Sequence, residues 1–161
     1  MARSRVSAGL LLYRLGPGGG LEVLIAFPGG PIFARRDEGY WTVPKGEYEP
    51  EEEPLSAACR EFAEELGSAP PEGERIDLGS ITQKGGKVVR AWALEGDLDT
   101  STVVSNEFEM EWPPRSGTRA RFPEIARAEW FAPEEARRKL KAAQVPFLDR
   151  LEAALRSAGR L

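Results

Sequence analysis

The sequence predicts an α+β fold in which helices cover both faces of a mixed β-sheet. Short segments rich in apolar and β-branched residues recur along most of the chain, which is typical of strands. One helical segment lies in mid-chain between strands, and two more close the chain. Because sheets and amphipathic helices must bury their apolar faces against each other, this order indicates an α/β/α arrangement. We expect a single domain over residues 1–161.

The first part of the chain is predicted to contain a β-hairpin, a long loop and a helix. The hairpin strands are separated by a glycine-rich turn. Proline is tolerated at the first position of a helix, and Gly67 is suited to end it. The predicted segments are strands at 6–13 and 21–27, an ordered loop at 28–39, a short extended segment at 40–43 and a helix at about 54–66.

The second part is predicted to contain further strands and two helices. The apolar residues of the last helix recur at core spacing. The predicted strands are 76–83, 87–94, 107–112 and 128–131, the stretch 113–123 is predicted as a basic polar loop, and the helices are 133–140 and 146–158.

Composition excludes several classes of chemistry. The chain has no histidine, which excludes Ser-His-Asp and Cys-His catalysis and histidine zinc sites. A single cysteine cannot form an intramolecular disulfide, in keeping with a cytoplasmic location. The net charge of −4 argues against nucleic acid as a partner. The apolar run at 10–13 is too short to cross a membrane.

The mid-chain helix carries three glutamates on one face. At about 100° per residue, Glu64 and Glu65 fall within roughly 60° of Glu61 on either side. Such carboxylates repel each other and lie near the unfavourable end of the helix dipole. Divalent cations such as Mg²⁺ or Mn²⁺ would neutralise them. A solvated acidic face, or an acidic helix that binds a protein, explains the same clustering.

The spacing around this helix distinguishes between these readings. Gly46 is followed after five residues by Glu52, and after seven more by Arg60-Glu61. Glu64-Glu65 and Gly67 complete the pattern. It resembles the signature of the Nudix family, hydrolases that act on a nucleoside diphosphate linked to another moiety. The sole departure is Ser68, where the family usually has an aliphatic residue.

The resemblance implies roles for the matching residues. It implies a loop-helix-loop that binds Mg²⁺ or Mn²⁺ through Glu61, Glu64, Glu65 and the backbone carbonyl of Gly46. Glu61 and Glu64 are also the implied catalytic glutamates. Glu52 and Arg60 match the pair that ties loop to helix.

The family often adds a further carboxylate from beyond the signature, as a metal ligand or general base. Glu109 and Glu111 are the candidates here, with Glu107 behind them. Alternation places all three on one face of a strand. An exposed edge-strand face is the competing interpretation.

Substrate contacts are less explicit. The segment Pro44-Lys45-Gly46 resembles the diadenosine polyphosphate hydrolase branch of the family. Its lysine, Lys45, is a candidate phosphate contact. Further candidates are basic or aromatic: Arg35, Arg36, Tyr40, Lys87 and Arg119.

The implied reaction is metal-dependent hydrolysis of a pyrophosphate linkage in a nucleoside diphosphate derivative. We favour a dinucleoside polyphosphate. ADP-ribose, nucleotide-sugar and nucleoside triphosphate substrates stay open, as does an inactive nucleotide-binding regulatory module. A monomer or a homodimer is expected.

Overall fold

The computed structural model describes residues 6–161. These residues form a mixed β-sheet with helices on both faces. The strands are β1 (Val6–Leu15), β2 (Leu21–Pro28), β3 (Lys45–Glu47), β4 (Arg75–Thr82), β5 (Val88–Glu95), β6 (Glu107–Glu111), β7 (Arg119–Pro123) and β8 (Ile125–Phe131). The helices are α1 (Pro54–Leu66), α2 (Pro133–Lys139) and α3 (Val145–Ser157), with 3₁₀ turns at Thr100–Thr102 and Ala142–Gln144. The predicted α+β fold is confirmed.

Six strands form the main sheet, and β6 and β7 form a separate two-stranded sheet. The order β4-β5-β1-β2-β8 places β1 at the centre. The pair β1–β5 is parallel and the other pairs are antiparallel, so the sheet is mixed as predicted.

The central strand β1 pairs with two different strands along one of its edges. Its end forms the predicted hairpin with β2, where Tyr13 lies opposite Val23. Its start pairs instead with β3, where Gly9 lies opposite Lys45. The amide of Leu10 donates to the carbonyl of Pro44 at 3.2 Å. Residues 45–47, which the sequence did not predict as a strand, are therefore part of the sheet.

Alternate residues of β1 face two separate cores. Leu10 and Leu12 pack with Phe62 of α1 on one face of the sheet. Leu11 packs with Leu151 of α3 on the other. This division follows from the two-residue period of a strand. No helix within residues 6–161 is long and apolar enough to span a membrane.

The prediction of a basic polar loop over 113–123 is wrong at its second half. Residues Arg119–Pro123 form β7, which pairs with β6 in antiparallel register. Arg119 and Arg121 face glutamates across the pair, and Phe122 packs against Phe108 with ring centroids 6.0 Å apart. Cross-strand partners, which the sequence does not display, stabilise this strand. The last strand also begins earlier than predicted, at Ile125.

One fully buried polar side chain joins three segments of the fold. Gln144 is 0% exposed. Its Oε1 accepts from the amide of Val43 at 2.9 Å, and its Nε2 lies 2.7 Å from Oε1 of Gln83 and 2.9 Å from Oγ1 of Thr42. Gln144 therefore connects the segment before β3, the β4–β5 turn and the segment before α3.

Substitution Gln144→Leu is expected to lower the free energy of unfolding by about 1–3 kcal/mol, because the buried amide of Val43 loses its acceptor. Urea denaturation measures this change. Gln83→Leu removes one side-chain bond at a less buried position and should cost less. Equal losses in the two variants would contradict the central role of Gln144.

Candidate active site

Helix α1 has the bounds that the sequence predicts, and its ends show why. Pro54 occupies the first turn, and the Glu53 carboxylate accepts from the amides of Leu55 and Ser56 at 3.2 and 2.8 Å. Gly67 ends the helix at φ 83°, a left-handed conformation that favours glycine. The three glutamates Glu61, Glu64 and Glu65 therefore lie on the last two turns of a well-capped helix.

Strand β3 lies directly against this acidic face. The amide of Lys45 donates to Oε1 of Glu65 at 3.1 Å. A Cβ atom on Gly46 would lie 2.0 Å from Oε2 of Glu61. The Glu61 carboxylate therefore occupies the space that a side chain at residue 46 would need, so any residue larger than glycine would displace it.

Arg60 holds the loop before α1 to the helix. Its Nε and Nη2 donate to the two carboxylate oxygens of Glu52 at 2.8 and 2.9 Å, the bidentate geometry that makes such pairs strong. Its Nη1 donates to Oε1 of Glu61 at 2.8 Å and contacts both oxygens of Glu64 at 3.2 Å. The bond from Arg60 holds the pKa of Glu52 below its usual value. The Glu52–Arg60 tie that the resemblance implied is present.

A cavity of about 350 Å³ opens beside β3 and the acidic face of α1. Carboxylates and lysines make up most of its wall. The lining residues are Ser7, Lys45, Gly46, Glu47, Glu61, Glu64, Glu65, Lys87, Asn106 and Glu124. A polar cavity with both signs of charge suits a phosphorylated ligand together with its counterions.

Two of the cavity's carboxyl groups have raised pKa values. Burial raises the pKa of Glu65 to about 8, against the opposing effect of Lys45. Burial also raises the pKa of Glu61, against its bond from Arg60. The charge of Glu124 contributes in the same direction at both groups. Negative charge is therefore costly here unless a cation accompanies it.

The chemistry of this donor set fits a hard divalent cation, because every candidate donor is a carboxylate or carbonyl oxygen. As placed within residues 6–161, no three acidic side chains are grouped closely enough to hold a metal ion. Glu61 is directed to Arg60, and Glu65 accepts from the amide of Lys45. Shared coordination therefore requires these side chains to rotate toward one another.

Glu124 and Glu47 are cavity carboxylates that the sequence analysis did not single out, and Glu124 comes from outside the motif segment. The amide of Asn106 donates to the carbonyl of Glu64 at 2.9 Å, which docks the start of β6 on the end of α1. The amide of Glu124 then donates to the carbonyl of Asn106 at 2.7 Å. Both residues reach the cavity because they lie at the base of the β6–β7 hairpin. Finding Glu124 from the sequence would have required recognising β7.

Glu109 and Glu111, predicted as catalytic candidates, lie elsewhere. Both are exposed on β6 and neither lines the cavity. Glu109 forms an ion pair with Arg119, and Glu111 accepts from the amides of Arg115 and Gly117. The two glutamates share one face of β6, as predicted, but these contacts are with other residues of the β6–β7 hairpin.

The predicted substrate contacts divide into two groups. Lys45 and Lys87 line the cavity. Arg35, Arg36, Tyr40 and Arg119 do not. The Arg36 guanidinium lies 5.5 Å from the Tyr40 ring centre, and Arg119 is paired with Glu109.

Comparison with known proteins agrees with this architecture. The chain matches the family model of the NUDIX domain over residues 5–151. It therefore belongs to the Nudix family and is a Nudix pyrophosphohydrolase. No curated protein matches the chain at a significant level.

Several solved structures share the fold. The Ap4A hydrolase of C. elegans, in a binary complex, is 23% identical with a TM-score of 0.67, covering 94% of this chain and 98% of that one. A mutT/nudix family protein of Listeria innocua is 16% identical with a TM-score of 0.64, covering 99% and 98%. The NUDIX domain of Shewanella oneidensis NrtR, complexed with ADP ribose, is 13% identical with a TM-score of 0.63, covering 96% and 90%.

Proposed function

We propose that the protein uses Mg²⁺ or Mn²⁺ to hydrolyse a pyrophosphate linkage in a nucleoside diphosphate derivative. The observation that carries this proposal is the convergence of Glu61, Glu64, Glu65 and Glu124 on one cavity that Lys45 and Lys87 also line. Carboxylates supply ligands for cations, and ammonium groups supply counter-charges for phosphates.

The proposed metal-binding groups are the motif glutamates Glu61, Glu64 and Glu65 with the carbonyl of Gly46. A bound divalent cation supplies charge neutralisation of the phosphate oxygens and a lower pKa for bound water. Arg60 holds Glu61 and Glu64 in position through its bonds to both. Lys45 and Lys87 contact the phosphates as point charges.

Glu124 is the proposed general base. It lines the same cavity as the motif glutamates, whereas Glu109 and Glu111 do not. Water attacks phosphorus, its proton passes to the Glu124 carboxylate, and the bridging P–O bond breaks with the leaving phosphate carrying the electron pair. A base must lie within hydrogen-bond reach of the attacking water, and Glu124 is the one carboxylate outside α1 and β3 within residues 6–161 that lines the cavity.

Glu124→Gln is expected to lower kcat by about 10²- to 10⁴-fold, the usual contribution of a general base. Glu109→Gln should change kcat less than twofold, because Glu109 is paired with Arg119 and does not line the cavity. Initial rates of both variants on one substrate check this. A large loss in Glu109→Gln with full activity in Glu124→Gln would assign the base to β6.

Among the substrates, a dinucleoside polyphosphate is the favoured proposal. It is supported by the Pro44-Lys45-Gly46 segment and by the likeness to the Ap4A hydrolase structure. ADP-ribose is the second candidate, supported by the likeness to the NrtR domain complexed with ADP ribose. Nucleotide sugars and nucleoside triphosphates complete the set to be compared.

A substrate panel tests the proposed function. Diadenosine tetraphosphate, ADP-ribose, a nucleotide sugar and a nucleoside triphosphate are incubated with Mg²⁺ or Mn²⁺ in ¹⁸O-water, and products are identified by mass spectrometry. The position of ¹⁸O identifies the phosphorus attacked. Nucleotide binding without turnover of any member would refute hydrolysis of these substrates and favour a regulatory binding module.

A further inference from the structure

A short segment before β6, residues 104–106, is attached to the end of α1, and we call it the connecting segment. The amide of Val104 donates to the carbonyl of Leu66 at 3.3 Å, and the amide of Asn106 donates to the carbonyl of Glu64 at 2.9 Å. Both carbonyls lie in the last turn of α1, where carbonyl groups have no partner within the helix. The connecting segment is therefore fixed to the end of the helix that carries the acidic face.

The side chain of Ser105, in the middle of the connecting segment, contacts the backbone next to Glu124. The amide of Ile125 donates to Oγ of Ser105 at 3.0 Å. The Ser105 hydroxyl lies 2.9 Å from the carbonyl oxygen of Asn106 and 3.3 Å from that of Ile125, and it can donate to either. Ile125 is only 5% exposed. Water would therefore replace the hydroxyl poorly if the Ile125 amide lost this acceptor.

Glu124 is also held through both of its own backbone polar groups. Its amide donates to the carbonyl of Asn106 at 2.7 Å, and its carbonyl accepts from the amide of Gly29 at 2.9 Å. A Cβ atom on Gly29 would overlap the carbonyl oxygen of Pro123, so the two backbones are in close contact. The peptide groups on both sides of Glu124 are thus fixed, while its side chain lines the cavity.

The contact of Ser105 differs from these backbone bonds because it depends on the type of residue. The bonds of Asn106 and Gly29 join main-chain groups, which most substitutions would leave in place. The bond of Ser105 needs a side-chain oxygen at Cβ, which serine and threonine provide and alanine does not. Residue 105 is therefore the position at which a side chain controls the backbone that carries Glu124.

We propose that Ser105 is a positioning residue, which holds the Glu124 carboxylate in place relative to the acidic face of α1. This inference rests on the proposed function, in which α1 binds the metal ions and Glu124 is the general base. The base and the metal-bound water come from different parts of the fold, so their separation depends on the connecting segment. A displacement of about 1 Å in such a group can cost 10²-fold in rate.

Ser105→Ala is expected to lower kcat about 10- to 100-fold and to change KM less than twofold, because it moves the base and removes no group that lines the cavity. Ser105→Thr, which keeps the oxygen, should stay within threefold of wild type. The matched control is Ser116→Ala at the tip of the β6–β7 hairpin, where Oγ of Ser116 accepts from the amide of Thr118 at 3.1 Å. It removes the same kind of bond away from Glu124 and should change kcat less than twofold.

A double-mutant cycle separates the positioning of the base from a general effect on the fold. In the Glu124→Gln background, Ser105→Ala should lower kcat less than twofold further, because no base is left to displace. Far-UV circular dichroism confirms that each variant is folded. Wild-type kcat in Ser105→Ala, an undiminished loss in the Glu124→Gln background, or no recovery of kcat in Ser105→Thr would overturn the inference.

Amide hydrogen exchange, followed by NMR, tests the contact without turnover. In Ser105→Ala the amide of Ile125 should exchange at least tenfold faster than in wild type, and in Ser116→Ala it should change less than twofold. If wild type hydrolyses nothing in the panel, faster exchange means that Ser105 holds this backbone and only the proposed function fails, whereas unchanged exchange overturns the inference as well. If wild type is active and Ser105→Ala changes neither kcat nor exchange, the proposed function stands and the inference fails.

Discussion

Replacing Glu65 with glutamine is expected to lower kcat/KM by about 10³-fold without loss of metal-free stability. The loss corresponds to about 4 kcal/mol, within the several kcal/mol that metal-ion catalysis contributes. The metal-free fold should be unaffected or more stable, because burial already disfavours the Glu65 charge and raises its pKa to about 8. Glutamine keeps an oxygen that accepts from the Lys45 amide.

Rates on the best substrate and thermal unfolding with and without Mn²⁺ measure both parts of this prediction. Wild type should gain thermal stability from Mn²⁺, and Glu65→Gln should gain little. The matched control is Glu51→Gln, an exposed glutamate in the loop before α1. If Mn²⁺ leaves the wild-type unfolding temperature unchanged, the acidic face of α1 does not bind metal, and an interaction helix becomes the better explanation.

Gly46→Ala is expected to lower kcat/KM by about 10²-fold or more while the protein still folds. The new Cβ would lie 2.0 Å from Oε2 of Glu61, so the carboxylate must leave its position. A displacement of about 1 Å in a catalytic group can cost 10²-fold. Gly20→Ala is the control, because a Cβ there meets nothing within 4 Å.

A double-mutant cycle shows whether Gly46 acts through Glu61. If it does, Gly46→Ala should add little to the loss already caused by Glu61→Ala, so that the two effects are far from additive. Fully additive losses would mean that Gly46 matters for another reason, such as the path of β3. The rates of both single variants and the double variant, with far-UV circular dichroism as the folding check, complete the measurement.

Features set by local sequence were predictable. Helix α1 was predicted with its observed bounds because Pro54 and Gly67 mark its ends. The acidic face followed from helical periodicity, and the spacing to Gly46 and Arg60 indicated the family. The observed contacts of Glu61 with Gly46 and Arg60 agree with that spacing.

Features set by distant partners were not predictable. Strand β7 depends on Glu107 and Glu109 across the hairpin, and without it Glu124 could not be placed. Gln144 joins three segments through side-chain bonds to distant residues, including Thr42, which lies 102 residues away. Single-sequence periodicity carries no record of such long-range contacts.

The hydrogen bonds at the base of the β6–β7 hairpin hold Glu124 in a position that does not depend on the length of the hairpin. A backbone hydrogen bond joins Asn106 and Glu124 at the base, so the residues between them form a hairpin whose two ends are fixed to each other. Because side chains alternate between faces, the tip can lose or gain residues in matched pairs without turning Glu124 away from the cavity. Related chains could therefore differ widely in the number of residues between these two positions, and an engineered protein could carry an added recognition element at the tip.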